Sequence, residues 1–123
     1  MITRQDAYET AFFFLSLLYL GNRARFSGDF PLLLGRMQIL PDGRPIDPLI
    51  AHFWEQAAPD DLLDDRMTMG ALERFLDFCR SRGETHTLEI SLVLYLLRSE
   101  QAQVWREWFA TAVERLADQT RVM

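Results

Sequence analysis

The residues that could do chemistry in this chain are few. His52 and Glu55 stand three apart on one helical turn, the spacing at which two side chains share a face and could share a metal. A di-iron bundle uses Glu-x-x-His twice with two further glutamates, whereas here the order is reversed and occurs once, and His86 is the only other histidine. Cys79 is the single cysteine, set in an apolar helical pattern, which reads as packing rather than a nucleophile. No G-x-S-x-G elbow, Cys–His–Asn signature or G-K-[ST] phosphate loop occurs, and the aspartates lack the glycine and closing glutamate of a calcium loop. No catalytic, metal or cofactor site is therefore assigned, and the expectation is a protein that is not an enzyme.

Acidity is the more informative feature. Asp60, Asp61, Asp64, Asp65, Glu73 and Asp77 fall in one stretch, with Arg66 and Arg74 as the only opposite charges there. Such a run is either a solvated linker and helix face or a patch that steers a basic protein partner. Glu84 and Glu89 form a second, smaller candidate. The chain carries 13 basic residues, all arginine, against 18 acidic ones, for a formal charge of −5. That balance argues against a nucleic-acid binder, which needs a basic surface to release counterions.

These residues need elements to position them. At 123 residues the chain has the length of one domain, residues 1–123, and 49% hydrophobic composition supports a core. One cysteine excludes an intramolecular disulfide and suits a reducing cytosol. The apolar run 11–20 is too short for a bilayer and is preceded by Asp6 and Glu9, so it reads as a buried helix rather than a leader or a span. Thr3 with Asp6 resembles a capping box opening that helix, and Gly21-Asn22 suits a left-handed close near Leu20. Residues 23–28 read as a loop. Asp29 is the expected cap of a second helix, with Pro31 in its first turn. Pro41-Asp42-Gly43-Arg44-Pro45 is a turn, and Asp47-Pro48 starts a third helix that Pro59 stops.

Thr68 or Asp65 would cap a fourth helix carrying Leu72, Phe75, Leu76 and Cys79 and ending before Gly83. Residues 88–96 alternate like a strand, yet Val93, Tyr95 and Leu97 fill the other face. With no second strand to pair with, the segment is read as helix, capped by Thr85 or Thr87. Ser99 is the expected cap of the last helix, where Trp105, Trp108, Phe109, Ala112, Val113 and Leu116 repeat at three and four. The expected fold is all-α, one compact domain of about five to six helices, orthogonal or bundle-like. Thr3, Ala7 and Glu9 before Phe14-Leu15 echo Thr68, Ala71 and Glu73 before Phe75-Leu76, and each half later reaches a tryptophan-bearing helix; a duplicated three-helix unit and a chance likeness of helix starts both remain open.

From Ala7 to Ala57 the chain resembles a family of small bacterial immunity proteins of contact-dependent growth inhibition systems. The pieces are Ala7-Tyr8 and the apolar helix through Phe14-Leu15, Asp29-Phe30 leading to Leu33-Leu34-Gly35-Arg36-Met37, Asp42-Gly43 with Pro45, and Asp47-Pro48 with Trp54. Arg36 stands where the family tends to an acidic residue and Leu49 where it tends to alanine. The resemblance implies a cytoplasmic protein that binds and blocks the C-terminal toxin domain delivered by a neighbouring cell, often a basic nuclease. The matched residues are caps, turns and core, so binding is expected from the acidic stretch beyond them. The rival expectation is a small helical adaptor for a cellular protein, homodimeric through an exposed Trp105/Trp108 face.

Overall fold

Six α-helices and one minimal ladder make up the computed structural model, which describes residues 1–26, 28–82 and 87–122. In chain order the elements are β1 (Ile2–Thr3), α1 (Arg4–Gly21), a 3-10 turn (Arg23–Arg25), α2 (Asp29–Arg36), α3 (Pro48–Ala57), β2 (Leu62–Leu63), α4 (Asp65–Arg82), α5 (Thr87–Arg98) and α6 (Ala102–Val122). The all-α expectation holds, and the alternating segment at 88–96 is helical within α5. Its two apolar faces are explained by burial of Ile90, Val93, Leu94, Leu96 and Leu97 together. No helix among the described residues is long and apolar enough to cross a membrane.

The start of α1 follows its sequence: Thr3 Oγ1 accepts from Asp6 N at 3.1 Å. Its close does not. The only positive φ among the described residues is at Gly43, at 88°, whereas Asn22 lies at φ −137° and ties off α1 by donating from its side chain to Leu18 O. At Gly43 an added Cβ would also meet Gln5 Nε2, so glycine there answers both a turn and a close approach. Residues 23–25 form a 3-10 turn instead of plain loop.

Three expected caps are reassigned. Asp29 is already inside α2, whose N-cap is Gly28 with no local side-chain bond. The missing partner comes from 61 residues away: Glu89 on α5 accepts from Gly28 N at 3.1 Å and from Phe30 N at 3.0 Å, one carboxylate oxygen to each. A carboxylate here satisfies two orphan N–H groups and meets the positive end of the helix. Glu89 is therefore a tether for α2 rather than part of an acidic docking patch; its companion Glu84, like Thr85 and His86, lies outside the described residues. We expect Glu89→Ala to cost about 3 kcal/mol in urea unfolding, since two charge-assisted bonds are lost. A cost under about 1 kcal/mol would show that α2 is held by packing alone.

Asp64, not Asp65 or Thr68, caps α4: its Oδ1 accepts from Met67 N at 2.8 Å, and buried Thr68 donates back to Asp64 O at 2.7 Å. Ser99 closes α5 rather than opening α6, with its N–H on Tyr95 O and Leu96 O and its hydroxyl on Tyr95 O. Asp47 behaves as read, accepting from Leu49 N at 2.9 Å with Pro48 at the first helical position.

An internal repeat organises these pieces. Each half runs strand, 18-residue helix and two further helices, the second bearing tryptophan, and α1 laid end to end on α4 sets Phe14-Leu15 onto Phe75-Leu76. The echo at their starts is different from the one expected: the counterpart of the Thr3 cap is Asp64, and Thr68 corresponds to Ala7. β1 and β2 pair antiparallel, Ile2 with Leu63 and Thr3 with Leu62, a local two-fold between the halves. Around it the indole N–H bonds repeat: Trp54 donates to Arg4 O at 3.1 Å and Trp105 to Asp65 O at 3.4 Å, each reaching the first residue of its own half's long helix. The core fills the space between, with Tyr8, Leu15, Phe30, Ile50, Leu72, Phe75, Leu76 and Ile90 fully buried.

Candidate functional site

The ladder decides where the acidic stretch goes. Residues 60–65 are a short strap pinned by β2 against β1 and by Arg4 N donating to Asp61 O at 3.1 Å. Leu63 points into the core while Leu62 stays 51% exposed, and Asp60, Asp61 and Asp64 are exposed on either side of it. An exposed leucine within a rim of carboxylates has the composition of a small protein-binding ridge, apolar at the centre and charged around.

Two clefts flank the ridge, and they are counterparts under the repeat. The first, about 530 Å³, lies between the start of α1, the 43–45 turn and α3, and is lined by Arg4, Gln5, Tyr8, Ala51, Trp54, Glu55 and Asp61 among others. The second, about 470 Å³, lies between α4 and the start of α6, lined by Asp65, Arg66, Met69, Ala102, Trp105 and Arg106 with Glu73 at its edge. Arg4 corresponds to Asp65, Tyr8 to Met69, Trp54 to Trp105 and Glu55 to Arg106, so one architecture carries opposite charge at two matched positions.

The six predicted contact residues are thus divided. Asp60, Asp61 and Asp64 crown the ridge, with Asp61 3.6 Å from Arg4 in an ion pair that is open to water. Asp65 accepts from Arg66 N and borders the second cleft. Glu73 pairs with Arg98 at 3.4 Å, and Asp77 pairs with Arg80 one turn on. The outer face of α4 is consequently mixed in charge, and of the six it is Asp60, Asp61 and Asp64 that stand exposed on the strap. What the sequence concealed is Leu62 and the β1 contact, because a two-residue strand has no periodicity to detect.

The titrating groups speak to structure. Burial pushes the Cys79 thiol up to about 12, far from a reactive thiolate. Burial likewise raises Tyr8, whose hydroxyl donates to Met37 O at 2.6 Å. Glu9 is raised chiefly by burial, with Asp6 adding and Arg115 opposing. Asp47 is lowered, first by the hydrogen bond from Arg36 Nε at 2.7 Å and further by its cap to Leu49. Among the described residues no three His, Cys, Asp or Glu side chains converge as a metal site; His52 is exposed beside Phe53.

Asp47 sets a pH dependence. A carboxyl lowered in the folded state contributes stability above its ordinary value near about pH 4 and loses it as pH falls through the lower folded value. Asp47→Asn keeps a capping oxygen and removes the charge. It is expected to cost about 1–2 kcal/mol at pH 7 and progressively less as pH falls through the lowered folded value, read from urea melts at neutral and acid pH. A cost equal at both pH values would assign the loss to packing.

Comparison of the chain with family models, with curated proteins and with solved structures finds no match.

Proposed function

We propose that this protein is an immunity protein that binds and neutralises the toxin domain of a contact-dependent growth inhibition system, acting in the cytosol by occlusion and without catalysis of its own. The ridge at residues 60–65 carries this reading. Its carboxylates are held on a backbone that is already ordered, so a partner need not spend free energy arranging them. A nuclease must be basic to hold its substrate, and a preset acidic ridge speeds encounter with such a surface and can cover it. Leu62 supplies an apolar anchor at the centre, and the flanking clefts can receive side chains from the partner.

The test is to mix the purified protein with the toxin domain encoded beside it. A stoichiometric complex and loss of toxin activity are the expected results; no complex and no protection would overturn the proposal. A helical adaptor that dimerises through an exposed face of both Trp105 and Trp108 is disfavoured by geometry. Trp105 is 2% exposed, packed on Phe14 and Phe109, and Trp108 is half-buried with its N–H on Thr10 O.

A further inference from the structure

The outer face of α1 is apolar where its counterpart on α4 is not. Phe13, Leu17 and Leu20 are 47%, 51% and 53% exposed, spaced four and three apart on one stripe. The matching positions on α4 are Arg74, Phe78 and Ser81, of which Arg74 and Ser81 are exposed and polar. The repeat thus supplies its own control: an apolar outer stripe is present on α1 and not on its counterpart α4. Beside the stripe lies a cleft of about 450 Å³ over Gly21, walled by Leu17, Leu18, Val104 and Trp108. A side chain at Gly21 would meet nothing within 4 Å, so the hole is open on the protein's surface. Phe13 stands two helical turns from it, about 12 Å along the same helix.

We propose that this face binds a second copy of the chain, two α1 helices packing antiparallel about Leu17 so that each Phe13 enters the partner's cleft over Gly21. A knob and a hole on one face, equidistant from a central residue, are self-complementary under a two-fold axis. Charge agrees with the antiparallel sense. Asp6 and Glu9 lie on the outer side of α1 toward its start, and exposed Arg23 and Arg25 follow its end, so the two-fold sets acid against base while a parallel arrangement would set like against like. Glu9 also feels Arg115 of its own chain, which leaves Arg23 and Arg25 as the cations facing Asp6 and Glu9 from the second copy. Neither Arg23 nor Arg25 makes a salt bridge among the described residues. Three half-exposed side chains make a small contact, and the dimer is expected to be weak, with a Kd of about 10–100 µM. The ridge at residues 60–65 lies near the opposite end of α1, and this proposal does not depend on what the ridge binds.

Sedimentation velocity over about 5–500 µM reads the association. The wild type is expected to pass from monomer to dimer, while Phe13→Ser and Gly21→Trp each weaken association at least about tenfold with unchanged circular dichroism. Both positions are exposed, so folding is retained. Mixing the two variants pairs the intact hole of one with the intact knob of the other, and heterodimer is expected at concentrations where each alone is monomeric. A wild type monomeric throughout, a dimer indifferent to both variants, or a mixture that stays monomeric would overturn the proposal. So would a monomeric wild type whose toxin binding is lost in Phe13→Ser, which would give the face to the toxin.

Discussion

Replacing Asp60 and Asp61 with lysine and Asp64 with asparagine is expected to slow association with a basic toxin domain by about 10–100-fold at low salt. The variant set follows from the geometry. Asp64 caps α4, and asparagine keeps a capping oxygen while removing the charge. Asp61 pairs with Arg4 in the open, so reversing it removes little that holds the fold. The effect should sit in the association rate and shrink as salt rises, because screening weakens long-range steering first. Asp77, already paired with Arg80 on the mixed face of α4, serves as the control: Asp77→Asn should change the rate by less than about twofold. Stopped-flow mixing measures both. Equal rates for wild type and the ridge variant would remove the strap from the interface.

Trp54→Ala is expected to cost about 4 kcal/mol of folding stability, and Trp54→Phe about 1 kcal/mol. The indole is 4% exposed and stands edge-on to Tyr8 on α1, with ring centroids 5.7 Å apart, and to Phe75 on α4 at 5.9 Å. Its N–H satisfies Arg4 O beside the strap. One side chain therefore joins three helices, and its removal leaves a void that the surrounding rings cannot all close. Phenylalanine keeps most of the contact and loses the bond. Urea unfolding separates the two contributions: similar losses for both variants would make the hydrogen bond, not the ring packing, the source of stability. Trp105, edge-on to Phe14 at 5.1 Å, holds the matching place in the other half and should show the same order of costs.

Much of the fold was legible because it is written locally. The stripe through Tyr8, Ala11, Phe12 and Leu15, the Thr3 and Asp47 caps, and the turn at Gly43 each depend on neighbours within a few residues. The errors share a cause. Asp29, Asp65 and Ser99 are plausible caps by type, yet Gly28 is capped from α5, Asp64 wins by one position, and Ser99 turns back on Tyr95. Several neighbouring residues could have capped each helix, and packing chose among them. The repeat was visible at Phe14-Leu15 and Phe75-Leu76 but misaligned at the starts, because a threonine that caps and a threonine that is buried look alike in sequence.

The acidic stretch shows the division most clearly. Sequence alone determined that six carboxylates cluster between residues 60 and 77 on a chain of net charge −5, and that about five to six helical segments would form around them. Only the tertiary structure decided that two residues at the start of the chain pair with Leu62–Leu63, that Asp60, Asp61 and Asp64 rise on a fixed strap, and that Glu73 meets Arg98 from α5. Composition and periodicity are local sums, available from the chain itself. Whether a charge is offered to a partner or spent on a neighbour depends on contacts between residues distant in sequence, and those exist only once the chain has closed on itself.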